Sequence, residues 1–311
     1  MIVHILVFLA ALFVLIKSSD YFVRGAERAG LAMGLSPFAT GVLIVGIGTS
    51  LPELISSVIA AAQGTPEIVS GNAVGSNIAN ILLVLAVASI FSKKLEIKFD
   101  ILKNDLPAIL VSSIFLFFAS RDGRITKIET AAFLILLAAY FFFSSTGVEK
   151  TEQGKTDNQK AKINLATIAL LLLPPFGIFF GAKYTVQSVI SLSTLLGINP
   201  EVIALSAVSI GTSLPEIIVT IQAARRGQGE MAIGNVTGSN IFNIFGVMGI
   251  SGLFGSYAIP RDIVSFSIPF LLAITLLYVF MILDKKIVRL EGVFLLILYG
   301  YFILTIFGIP A

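Results

Sequence analysis

Residues 48–53 read GTSLPE, and residues 211–216 read GTSLPE again. Each copy ends in a glutamate, Glu53 or Glu216, set inside long apolar sequence. A carboxylate at the centre of a hydrocarbon layer costs roughly 2.5–3.5 kcal/mol, and two cost about twice that. Such groups need a counter-charge. Yet no Lys or Arg occurs between Arg28 and Lys93, or between Lys183 and Arg225. Arg225 lies nine residues beyond Glu216, or ~13 Å along a helix. The chain thus offers no basic neighbour in sequence, which points to a mobile counter-charge: protons or bound metal cations.

The residue types around the glutamates favour metal cations. Thr49, Ser50, Thr212 and Ser213 supply hydroxyl oxygens. Apolar sequence runs up to each motif and Pro52 or Pro215 follows it, so each span is expected to be two half-helices meeting at the Gly-Thr. The ends of the leading halves, around Gly46 and Ser209, would then present free carbonyls. Downstream, Asn72, Ser76 and Asn80 share one helix face, and Asn235, Ser239 and Asn243 repeat them. Ser76, Asn80, Ser239 and Asn243 are read as ligands, while Asn72, Asn77, Asn235 and Asn240 are read as interhelical hydrogen-bond glue. The result is an all-oxygen cage with two carboxylates, suited to Na⁺ and Ca²⁺. A plainer reading covers the local geometry: Ser50 and Glu53 form a capping box at a helix start. It leaves the depth of the motif unexplained. Glu67 and Glu230 are read as stabilising helix N-termini.

The elements holding these residues are membrane helices. Of 311 residues 56% are hydrophobic and only 13% charged, and mean hydropathy is +0.97. Ten candidate spans are expected at 2–24, 37–62, 68–91, 104–120, 126–145, 164–187, 200–224, 230–254, 262–283 and 287–308. The apolar start lacks a basic n-region, so it is read as the first span and not a signal peptide. The net charge of +3 carries no nucleic-acid reading, because the basic residues sit in short loops. Zero cysteines exclude disulfides, Fe–S clusters and thiolate sites, and the single histidine, His4, is read as interfacial.

A shift of 163 residues superposes Gly34 on Gly197 and Asn80 on Asn243 with no gap between, matching Glu67 to Glu230 and Gly75-Ser76-Asn77 to Gly238-Ser239-Asn240. Two related halves follow, 1–145 and 164–311, joined by a polar linker at 146–163. Five spans per half is odd, so the second half is inverted, an architecture of secondary transporters. With the N-terminus outside, only Arg121, Arg124, Lys127 and Arg261 fall on the outer side and fifteen Lys and Arg on the inner; Lys17 and Lys183 are ambiguous. Both termini are therefore expected outside and the linker in the cytoplasm, in the cell membrane. Lys17 and Asp20 are read as a local salt bridge, and Pro174-Pro175 as a kink in the sixth span.

GTSLPE…GNAVGSNIAN at 48–80 and GTSLPE…GNVTGSNIFN at 211–243 resemble the two α-repeats (about 37–91 and 200–254) of the sodium/calcium exchanger family, within the calcium/cation antiporter superfamily. The resemblance covers the whole chain and is closest to prokaryotic members. It implies an all-α fold of ten transmembrane helices with a broken helix in each inverted repeat. Glu53 and Glu216 would be the central carboxylates shared by Ca²⁺ and Na⁺. Ser50, Ser213, Thr49, Thr212, Gly46, Ser209, Ser76, Ser239, Asn80 and Asn243 would complete the sites. The ions bind as substrates with no cofactor, and the lipid bilayer is the only other partner implied.

The family's mechanism is alternating access, with the first and sixth spans sliding against a core. Asn at both 80 and 243 leaves a site charge of −2, where potassium-dependent relatives carry Asp at the position of Asn243. Under the family's three-for-one exchange each cycle would move one charge, worth roughly 2.3 kcal/mol per 100 mV. Gly75-Ser76-Asn77 stands where proton-coupled relatives have Glu-His. An H⁺- or K⁺-coupled divalent antiporter is the alternative within the superfamily, and a cation channel a reading from another class. An intramembrane protease would need H-E-x-x-H, paired aspartates or a Ser/His couple, none of which the sequence contains.

Overall fold

A computed structural model describes residues 1–62, 67–92, 95–96, 105–146, 163–196 and 200–306, with only the main chain described at 67, 96, 145–146, 189, 193 and 200–212. The polar linker lies outside the described residues apart from its ends. All ten apolar stretches are helical where described. We number the helices α1 (Ile2–Met33), α2 (Pro37–Thr49), α3 (Leu51–Ala62), α4 (Ile68–Phe91), α5 (Asp105–Ala119) and α6 (Lys127–Thr146). The second half supplies α7 (Leu165–Leu172), α8 (Pro174–Leu195), α9 (Pro200–Arg225), α10 (Gly229–Phe242, continued to Gly252), α11 (Ile263–Leu283) and α12 (Arg289–Ile306).

Among the described residues six helices are long and apolar enough to cross a membrane, and the α2–α3 pair, bent by 41°, makes a seventh. Their exposed faces carry Phe, Ile and Leu, such as Phe118, Ile135, Phe180 and Ile297, as lipid contact requires. Among the described residues, besides turns and short connections, four two-residue strands occur, paired 95–96 with 286–287 and 124–125 with 257–258. Each pair ties one half of the chain to the other.

Four expectations about helix limits are corrected. The first helix runs to Met33, where Gly34 caps it at φ 73°. Arg24 and Arg28 are therefore helical, not in a loop: 32 residues reach ~48 Å at 1.5 Å each, well beyond a ~30 Å core. The break in the first repeat falls at Ser50 (φ −86°, ψ 3°), not at Gly48-Thr49. The second repeat has no break: α9 is continuous with Pro215 inside it. Lys183 sits well inside α8, not at a span end. The Pro174-Pro175 reading holds, with the helix interrupted at Leu173 and restarting on Pro174.

Helix α2 packs against α10 through glycines. A Cβ at Gly234 would run into the Phe38 carbonyl, and one at Gly238 into the Val42 carbonyl, so this G-x-x-x-G brings two backbones together. The counterpart pair Gly71 and Gly75 makes no such approach among the described residues. Helices α1 and α8 cross with similar closeness at Gly177 beside Ser18 and Gly181 beside Leu15.

Candidate ion-binding site

Glu53 sits in the first turn of α3, and its side chain is 2% exposed. Glu216 lies in α9 one residue after Pro215 and is 1% exposed. The two motifs adjoin, since Pro52, Glu53 and Pro215 line one pocket. Neither carboxylate has a hydrogen-bond partner among the described residues, and neither is paired with Lys or Arg. Carboxylates this deep are normally paired or metal-bound.

Other buried polar atoms of the expected ligands likewise lack partners among the described residues: Ser50 Oγ, Ser213 Oγ, Ser76 Oγ, Asn80 Oδ1, and both Oδ1 and Nδ2 of Asn243. Buried polar side chains are overwhelmingly hydrogen-bonded. These groups, nearly all oxygen, form a donor set of the kind that hard cations take. The expected capping box is not formed, since both Ser50 Oγ and the Glu53 carboxylate are free. The helix start is secured instead by the Leu54 N–H bonding to the Ser50 carbonyl at 3.1 Å.

Other expected ligands are engaged with one another. The Gly46 carbonyl is not free: it accepts from the Ser50 N–H at 3.2 Å and from the Ser239 hydroxyl at 3.1 Å. The reason is the later break, which lets the helical bonding continue past Gly46. Thr49 Oγ1 lies 3.3 Å from that carbonyl, 3.2 Å from Asn235 Oδ1 and 3.3 Å from Ser239 Oγ. Ser209 and Thr212 belong to α9, and their side chains lie outside the described residues. Pro52 and Pro215 lack an N–H, so the carbonyls of Gly48 and Gly211 lose their intrahelical donors.

The asparagines read as glue make interhelical bonds. Asn72 Nδ2 donates to Ser57 Oγ at 2.9 Å and to the Glu53 carbonyl at 3.1 Å. Asn235 Nδ2 donates to Thr220 Oγ1 at 2.8 Å, and Asn77 Nδ2 to the Asn240 carbonyl at 3.1 Å. Asn80 Nδ2 bonds Asn240 Oδ1 at 3.2 Å, which aims its free Oδ1 elsewhere. Wider π-helical turns begin at Asn80 (to Val84) and at Asn243 (to Val247). Such turns cluster at functional sites, and nothing in residue type announced them. Glu230 lies in the first turn of α10, as expected, and the Glu67 side chain is outside the described residues.

A pocket of about 180 Å³ reaches Glu53, bounded by Glu53, Ser56 and Pro215 on one side and Phe179, Ala182 and Lys183 of α8 on the other. Elsewhere Asp20 pairs not with Lys17 but with Arg24, at 3.0 Å, and with Arg226 at the end of α9, whose Nε donates at 2.8 Å. Gln228 Nε2 donates to Glu27 nearby at 2.8 Å. Fold and site together define an integral membrane protein that handles ions.

Comparison with known proteins gives the narrower assignment. The family described as sodium/calcium exchanger protein matches residues 3–146 and 166–308. The sodium/calcium exchanger MaX1 of Methanosarcina acetivorans is 36% identical, with 99% of each chain covered. An uncharacterized membrane protein of Methanocaldococcus jannaschii is 34% identical over 94% of each. A solved structure of the sodium-calcium exchanger NCX_Mj, soaked without Na⁺ and Ca²⁺, superposes with a TM-score of 0.84 at 32% identity, covering 98% of this chain and 99% of that one. The chain belongs to the sodium/calcium exchanger family. That family consists of membrane antiporters, not enzymes, and its transported ions bind as substrates.

Proposed function

We propose that the protein exchanges Na⁺ for Ca²⁺ across the cell membrane by alternating access, moving net charge in each cycle. The observation that carries this is the set of unpartnered buried polar atoms that includes the two carboxylates, whose motifs adjoin at one pocket. In this reading Glu53 and Glu216 hold the cations, with Ser50, Ser213, Ser76, Asn80 and Asn243 as further ligands. Thr49, Gly46 and Ser239 join once their mutual bonds open, and Thr212 and Ser209 are assigned by the repeat. A site charge of −2 is neutralised by one Ca²⁺ and overcompensated by three Na⁺, which makes exchange of three for one electrogenic.

The architecture proposed is ten spans in two inverted five-helix halves, 1–145 and 164–311, with both termini outside and the 146–163 linker in the cytoplasm. In that topology the pocket beside Glu53 opens outward. The Asp20–Arg226 pair then lies on the inner side, where it holds α1 to the end of α9. In this reading the described conformation is latched on the inner side, with both carboxylates buried. Helices α1 and α8, closely packed on each other, are the moving part.

The test is Ca²⁺ uptake into proteoliposomes preloaded with Na⁺, K⁺ or acid. Uptake is expected with Na⁺ alone, and a K⁺ diffusion potential should alter its rate. Uptake driven only by a proton gradient, or flux persisting with no counter-ion gradient, would overturn the proposal.

A further inference from the structure

We infer that Lys183 is a fixed positive charge at the mouth of the pocket leading to Glu53, where it sets the relative access of monovalent and divalent cations. The inference rests on the proposed Na⁺/Ca²⁺ exchange and deepens it. Lys183 lies on α8 and lines the same pocket as Glu53 and Ser56. Its side chain is exposed, and the ion pairs among the described residues involve only Asp20, Arg24 and Arg226. Among the described residues no carboxylate forms a salt bridge with it. The 163-residue shift that relates the halves places Lys183 on Asp20. One half thus carries an acid tied into a latch, and the other a free base beside the ion pocket.

The physical effect follows from the product of charges. A fixed potential multiplies the local concentration of a monovalent cation by some factor, and that of a divalent cation by the square of that factor. At the dielectric of water, a unit charge ~7 Å away changes the first about threefold and the second roughly ninefold. Lys183 would thereby hold back Ca²⁺ more than Na⁺ without touching either ligand set, altering entry and not the bound site. The competing account is that the Lys183 side chain only extends along α8 toward the membrane surface to keep its ammonium hydrated.

Exchange by wild type, Lys183→Gln and Lys183→Arg, measured in proteoliposomes at constant ionic strength held with choline chloride, decides between these. The Gln variant is expected to lower KM for external Ca²⁺ roughly ninefold and for external Na⁺ about threefold, with maximal rate unchanged, and the Arg variant to match wild type. Unchanged KM values, or equal factors for the two ions, would overturn the inference while leaving the proposed function standing. A wild type that exchanges neither ion overturns both.

Discussion

The side-chain amide of Asn77 donates to the main-chain carbonyl of Asn240 at 3.1 Å, and the two residues stand 163 positions apart, the offset of the internal repeat. Equivalent positions of two copies can touch only near the axis that relates them. The pair of bonds Asn72–Ser57 and Asn235–Thr220 obeys the same offset, at 2.9 and 2.8 Å. This pairing supports the proposed inverted-repeat architecture, in which the proposed ion cage would lie where the two copies meet.

Replacing either Glu53 or Glu216 with Gln should abolish exchange while leaving the fold intact. A unit charge ~4 Å from an ion contributes roughly 4 kcal/mol per ion charge at an effective dielectric of 20. Ca²⁺ affinity should therefore drop at least about 100-fold. Removing an unpaired buried charge also relieves desolvation, so thermal stability without ions should hold or rise. Isotope flux and a thermal melt on the same preparation check both halves.

Cation binding should stabilise the protein. A ligand at 100 times its Kd adds about 2.7 kcal/mol of stability, and an empty cage of unpartnered oxygens has most to gain. Melting in detergent should shift upward with Ca²⁺ and with Na⁺, and stay put with choline. The shift should vanish in the Glu53→Gln, Glu216→Gln double variant.

The inner latch predicts a change of conformational balance. The Asp20 and Arg226 side chains are 20% and 26% exposed, so their pair is only partly screened and should be worth about 1 kcal/mol. Arg226→Gln should raise the inward-open population about fivefold. Because the chain has no cysteine, a single introduced Cys below the latch reports this by its rate of thiol labelling. Asp20→Asn should give the same change, and the double variant no more than either alone.

Glycine contacts give a stability test. Gly238→Ala must displace the Val42 backbone and should cost about 1–3 kcal/mol. Gly300→Ala, at a helical position with open space around it among the described residues, should be neutral or stabilising by up to about 1 kcal/mol. Paired chemical denaturation curves measure both.

Much of this organisation was legible in the residues themselves. The repeated motif, its offset and the depth of its glutamates located the two carboxylates, and the spacing of Asn72, Ser76 and Asn80 located the facing helix. What escaped depends on through-space packing. Lys183 is thirty-three residues before Glu216 in sequence, so a search along the chain for a basic neighbour passed over it, yet α8 carries it to Glu53's pocket. Lys17 was the obvious partner for Asp20 by proximity, but Lys17 faces the Phe13 ring at 5.8 Å and Arg226 arrives from the other half. Identical GTSLPE copies suggested identical breaks. Only the first bends, because tertiary surroundings decide whether a proline in a helix opens it or is absorbed.

Of the four π-helical turns among the described residues, at Gly41–Gly46, Asn80–Val84, Asn243–Val247 and Ile263–Ser267, the second and third have a historical corollary. Such a turn is what one surplus residue makes of an ordinary helix, swelling the coil locally and rotating everything beyond it. Here the surplus occupies Asn80–Val84 in one copy and Asn243–Val247 in the other, matching positions to the residue. On the proposed repeat architecture, one insertion in an ancestral half, inherited by both copies, would account for the coincidence without a second event.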